Sequence, residues 1–311
     1  MIDFVGKRYW YFAFSLLIIL PGVIGLAFWG LPLSIDFQSG ARIELQFPDA
    51  QPNQIQTTDI KESLASLGLD DSIVQLAPDN IVIIRSAHLD DGTRNLVVPK
   101  LEEAYGTVVV RSFDNVGPAV GAEVARNAAF AVAAAAVGIL AYMTYAFWGV
   151  PHAIRYGVAA IVAMLHDVLV MIGVASIFGK FLGWEVDALY LTALLTVIGF
   201  SVHDTIVVFD RIRENQRVHR RAGFEAIVNH SIVQTLDRSI NTQLTVVFTL
   251  LALALFGGVT IRHFVILMLI GLVSGTYSSI FNAAQLLVVW ENGEIGKLFG
   301  RGKETTATVN S

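Results

Sequence analysis

Two apolar stretches carry ionisable residues. VIGFSVHDTIVVFDRIREN, residues 197–215, holds His203 and Asp204 before it turns charged. MLHDVLVMIG, residues 164–173, holds His166 and Asp167. A carboxylate at the centre of a lipid-embedded helix costs about 2.5–3.5 kcal/mol on insertion scales. Asp is too short to reach water from there. Each carboxylate must face a bundle interior or a wet cavity, or keep its proton. The chemistry this offers is the binding and release of a proton. Arg238, in QTLDRSINTQLT, is the leading counter-charge for Asp204. Its approach would favour the ionised carboxylate, and its withdrawal would let the group protonate. The plainer alternatives are that Arg238 snorkels to lipid headgroups or pairs with Asp237 or Asp210.

His203, beside Asp204, is a weaker candidate for the same relay. His166 and Asp167 point about 100° apart on a helix, so they do not face one partner. They suit a hydrogen-bond network between spans or a proton relay. These His and Asp residues lack a strong metal-ligand spacing such as two His at i and i+4, so no metal is expected, and no cofactor. No nucleophile, base and oxyanion donor can be assembled, which makes a hydrolytic enzyme the least expected class. Gly271 and Gly275 form a GxxxG, continued by Ser278, Ser279 and Ala283, and read as a helix-packing surface.

The elements that would hold these residues are membrane spans. The chain has 311 residues, 54% hydrophobic and 15% charged, with a mean hydropathy of +0.61. Soluble domains carry about 25% charged residues. Six stretches reach the roughly 20 residues a bilayer requires: 9–31, 128–148, 154–178, 188–209, 239–256 and 264–290. The first follows Lys7 and Arg8 like a signal peptide, but its apolar run exceeds an h-region, so an uncleaved span is expected. The net charge of -5 points to no nucleic-acid partner. Without cysteine there are no disulfides or thiolate sites.

Arg and Lys cluster before the first span, after the fourth and after the sixth, which places both termini and the loop 210–236 in the cytoplasm. Residues 32–126 then lie outside. ARIELQF alternates like a half-buried strand. TTDIKESLASLG reads as a helix with a variant capping box at Asp59 and Glu62, stopped by Gly68. SIVQL and NIVIIR read as strands joined by a turn at Pro78-Asp79. A helix near 100–105, with Pro99 in its first turn, precedes the strand TVVVRSF. Strand, helix, strand, strand, helix, strand is the ferredoxin-like order. NVGPAVGAEV, residues 115–124, reads as a tight turn or hinge. The expected organisation is a cytoplasmic start and first span over 1–31, the α+β domain over 32–126, spans two to six over 127–291, and a cytoplasmic tail over 292–311.

Together LHDVLV, TVIGFSVHDTIVVFDRIREN, LDRSINTQLT, ALFGG, GTYSSIF and VGPAVGAEV resemble the SecD/SecF family over nearly the whole chain, on its six-span SecF side. The resemblance implies half of an RND-type bundle, completed by SecD. It implies association with the SecYEG channel in the inner membrane, and use of the proton-motive force to help draw preproteins out. It assigns the family's span-four Asp to Asp204 and its span-five Arg to Arg238. This sequence departs from the family at His203, where Asn is usual, at Ser39 and Ala41 in IDFQSGARIE, and at Gln285, where proline is frequent. An RND-like small-molecule exporter subunit and a passive membrane scaffold are the alternatives.

Overall fold

Among the described residues six helices are long and apolar enough to cross a membrane, so the chain is a multi-pass helical membrane protein. The computed structural model describes residues 3–50, 55–77, 80–87, 89 and 91–294. A 3-10 turn, Val5–Lys7, leads into α1 (Arg8–Trp29). There follow α2 (Ile35–Gln38), β1 (Gly40–Gln46), α3 (Thr57–Ala65), β2 (Ile73–Ala77), β3 (Ile81–Ser86), α4 (Asp91–Tyr105) and β4 (Val109–Val116). The remaining spans are α5 (Pro118–Ala146), α6 (Ala153–Leu182), α7 (Ala188–Val218) and α8 (Phe224–Phe256). The sixth runs through α9 (Val259–Ser278), a π turn (Ser279–Ala283) and α10 (Ala284–Glu291).

The chain divides into two compact units. One holds residues up to 32, 132–184 and from 189 on; the other holds 33–131 and 185–188.

In the membrane unit α6 is the most enclosed span, and its small residues let neighbours approach closely. Gly173 of α6 meets Gly22 of α1 so tightly that a Cβ on Gly22 would lie 2.6 Å from the Gly173 Cα. Gly271 of α9 faces Val197 of α7 and Met171 of α6, and Gly275 faces Ser201. A Cβ at Gly271 would come within 2.4 Å of Val197, so the GxxxG surface lies at a three-helix contact. Towards the basic end Tyr156 stacks on Phe147 at 5.0 Å and meets Phe209 edge-on at 5.3 Å.

Helix boundaries depart from the apolar runs. The second span begins at Pro118, not near 128, so residues 118–124 of the expected hinge are its first turns, with proline at the first helical position. The helices α7 and α8 extend past the apolar core and leave only residues 219–223 between them, where a loop over 210–236 is read from the sequence. A helix holds its backbone bonds in water as in lipid, so hydropathy marks the span and not the helix.

In the other unit the sheet order is β2-β3-β1-β4, all pairs antiparallel, with Ile43 of β1 opposite Ile84 of β3 and Phe113 of β4. Ile43, Leu45 and Phe47 are buried with Val82 and Ile84 against Ile60 and Leu64 of α3 and Val97 and Leu101 of α4. The capping box does not form: Gln56 is the N-cap of α3, without a side-chain bond. Pro99 lies inside α4, which starts well before the expected 100–105. The turn at Pro78-Asp79 and the basic residues of the C-terminal tail lie outside the described residues.

Residues 185–188, between α6 and α7, complete this unit. Leu33 and Val186 form a parallel bridge, with Ser34 N–H donating to Val186 O at 2.9 Å. The Ala188 N–H, the first of α7, donates to Asp36 Oδ2 at 3.0 Å. Glu185 pairs with Arg85 of β3. Burial raises the Glu185 carboxyl above its ordinary value, with Arg85 and Arg42 opposing and Asp187 and Asp36 adding to the rise. Burial also lowers Arg85 despite its partner. Desolvation therefore outweighs attraction in this pair. A raised carboxyl contributes stability that is full below the unfolded value of about 4.3 and is lost as pH rises through the folded one. Glu185→Gln mimics the protonated state. It is expected to melt no lower than wild type at neutral pH and to lose part of the pH dependence of melting, followed by tryptophan fluorescence. A variant with the wild-type pH dependence would contradict the shift.

Candidate functional site

Asp204 is on the face of α7 that packs on α8 and is 4% exposed. Its Oδ2 accepts from Gln243 Nε2 of α8 at 2.7 Å. The antiparallel register sets this pairing. Asn215 meets Ser231 at 2.8 Å and Gln234 at 2.9 Å, Arg211 meets Gln234 at 2.7 Å, and Asp204 meets Gln243. Steps back along α7 are matched by steps forward along α8.

Arg238 therefore falls about one turn nearer the basic end than Asp204. It lines a cavity of about 430 Å³ with Tyr142, Ile206, Val207, Asp210 and Arg213. Among the described residues Arg238 forms no ion pair, to Asp204 or to Asp210. The structure thus does not bring the expected pair together, and the carboxylate has an amide partner instead. Sequence reading passed over Gln243, although it stands in the quoted QTLDRSINTQLT. An antiparallel register counted from the 219–223 turn would have found it. The Gln243 Oε1 is buried without a partner among the described residues. His203 and Arg238 are both exposed on the membrane unit, as are Asn241, Thr242 and Thr245.

Asp167 occupies a second polar centre. It is fully buried. Its Oδ2 accepts from Ser201 of α7 at 2.6 Å and Ser278 of α9 at 2.7 Å, and its Oδ1 accepts from Ser274 of α9 at 2.7 Å. His166 Nδ1 lies 3.1 Å from Oδ1. The ring of His166 also lines a cavity of about 400 Å³ with Phe12, Ser15, Leu165 and Asn282, and its Nε2 has no partner among the described residues. The Ser279 hydroxyl donates to Ser201 O at 2.8 Å and receives from Thr205 Oγ1 at 2.9 Å. One of the serines that solvate Asp167, Ser278, belongs to the small-residue surface. Their hydroxyls supply the donors that water would supply elsewhere. Among the described residues no group of three or more His, Asp or Glu is placed to hold a metal.

Removing the acceptor should cost more than removing one donor. Asp167→Ala leaves hydroxyls unpaired at about 1–3 kcal/mol each, and Ser274→Ala removes one bond worth about 1 kcal/mol or less in a membrane. Melting in detergent should therefore fall clearly for Asp167→Ala and little for Ser274→Ala. Equal falls would contradict a carboxylate-centred network.

The chain matches the family model described as Protein export membrane protein SecD/SecF, C-terminal, over residues 97–293. It is 52% identical over 304 residues to Protein translocase subunit SecF of Anaerolinea thermophila, covering 97% of this chain and 98% of the relative. It is 38% identical over 301 residues to Protein translocase subunit SecDF of Bacillus subtilis, covering 95% of this chain and 39% of that one. The crystal structure of SecDF, a translocon-associated membrane protein from Thermus thermophilus, superposes with a TM-score of 0.81 at 33% identity, over 94% of this chain and 39% of that chain. The family model covers more than half of this chain and the Anaerolinea relative is matched nearly end to end, so the chain belongs to the SecD/SecF family of protein-export membrane proteins.

Proposed function

We propose that the chain is the SecF subunit of the Sec translocase accessory complex. It works with SecD to convert the proton-motive force into export of preproteins through SecYEG. The reading of the sequence, the matched relatives and the buried carboxylate on α7 support the same assignment. Homologous SecDF chains, of which this chain covers 39%, support SecD as the partner. The exposed polar groups of α7 and α8, among them His203, Arg238 and Asn241, would be costly against lipid and suit helices of that partner. The protein sits in the inner membrane with its basic end and both termini in the cytoplasm. The unit holding the four-stranded sheet is the ferredoxin-like extracytoplasmic domain, supported by its strand order.

Asp204 is the proton-carrying group, and the single observation behind this is a buried carboxylate held by an amide and no cation. Gln243 can serve both protonation states. Its Nε2 donates to the ionised carboxylate, and its orphan Oε1 would accept from the protonated one after the amide turns over. Arg238 and His203 act in proton entry and exit beside it. A charge crossing 100 mV provides about 2.3 kcal/mol, enough to drive such a reorientation. No hydrolytic step is needed.

The test is preprotein translocation in vesicles containing SecYEG, SecD and this chain, with and without a proton gradient. Asp204→Asn should abolish the gradient-dependent part while the complex still assembles. Gln243→Ala should lower that part roughly tenfold, the equivalent of one charge-assisted hydrogen bond. Unchanged export in Asp204→Asn would make the chain a scaffold.

A further inference from the structure

A cavity of about 540 Å³ opens at the basic end of the membrane unit, between the α5–α6 turn, the last turns of α7 and the start of α8. Its walls differ in chemistry. Val150, Phe224 and Ile227 contribute an apolar side, and Arg213, Gln216, Arg217 and Arg220 a polar one.

The arginines are not equivalent. Arg213 is committed: it pairs with Asp210, donates to Ala146 O at 2.9 Å and lies over the Phe147 ring at 5.3 Å. Among the described residues Arg217 has no ion pair, and Arg220 has only a bond from Nε to the Arg217 carbonyl at 3.3 Å. Two guanidinium charges on the cavity therefore lack a counter-ion. Tyr156 OH donates to Gln216 Oε1 at 3.3 Å, which leaves the amide N–H₂ as a further donor.

A ligand for this cavity must carry an anion with several acceptor oxygens beside an apolar body. Guanidinium pairs bidentately with phosphate. The cavity lies where α7 passes from apolar to charged sequence, and the neighbouring Tyr145 and Trp148 are each 78% exposed. Exposed aromatics of this kind mark the headgroup level of a bilayer. We propose that this cavity binds the phosphate headgroup of an anionic phospholipid, held by Arg217 and Arg220 with its glycerol against Val150 and Phe224. Such a lipid joins the α5–α6 turn to the α7–α8 turn. The site is independent of the proton chemistry at Asp204.

Native mass spectrometry of the full chain, taken from mixed micelles of phosphatidylglycerol and phosphatidylcholine, tests this. Wild type should retain phosphatidylglycerol roughly tenfold better, given the contribution of each basic residue near anionic lipid. Arg217→Gln with Arg220→Gln should bring the preference within about twofold, since both unpaired charges are gone. Arg211→Gln with Arg221→Gln removes the same charge away from the cavity and should leave it intact. Equal loss in the two pairs would show general surface attraction and overturn the site, as would no loss in the first. Arg217→Lys with Arg220→Lys keeps charge without the bidentate geometry and should fall between; full retention there would overturn the bidentate assignment. Displacement of the lipid by millimolar inorganic phosphate would overturn the lipid source and leave a site for free phosphate.

Discussion

A carboxylate that cannot reach water decides how the spans pack. Asp167 brings a carboxyl group to a place with no solvent, and hydrocarbon offers it nothing. Serines from α7 and α9 come to it as donors, beside the His166 ring. Once they do, the separations among three helices are set by hydroxyl lengths. Glycine at 271 leaves the space that a Cβ would take from Val197 and Met171, and Gly275 sits tightly against Ser201. Small residues and polar residues, which look like separate features of the sequence, are two consequences of one solvation demand.

Asp204 solves the same problem in another way. It has one amide partner where Asp167 has three hydroxyls, and it stands next to exposed polar residues where Asp167 is enclosed. The better-solvated acid suits a fixed joint and the sparser one a group that changes state. On the proposed function, two carboxylates in one bundle divide structural and working roles by the number of donors each is given. The unit that holds the sheet adds a third case, in which Glu185 and Arg85 are paired yet both are shifted towards neutrality by burial.

Much of this could be read in the residues. Hydropathy located all six spans, and the cost of charge in lipid singled out Asp204 and Asp167 before any coordinates. The strand alternation of ARIELQF identified Ile43, Leu45 and Phe47, all buried. What escaped had a physical reason. Helix ends are set by hydrogen bonding and not by apolarity, so Pro118 and Phe224 were missed as starting points. Arg238 was favoured as the partner of Asp204 because opposite charge is easy to see in a sequence, whereas interhelical register is not. Gln243 carries no charge and no motif of its own. The donors to Asp167 were visible as small residues but not as ligands, because their convergence requires three helices at known rotation.

The π turn at Ser279–Ala283 has a further consequence. It widens one turn of the sixth span, so the heptad-like bookkeeping of faces before it no longer applies after it. An uninterrupted helix would carry its next residues round by about 100° for each position. Within the turn, four positions still return to nearly the same side: Ser278 is turned to Asp167 on α6, and Asn282 exchanges hydrogen bonds with Ser15 on α1. A single polypeptide segment thereby ties α6 and α1 into one polar layer, because His166 touches Asp167 and lines the same cavity as Ser15 and Asn282.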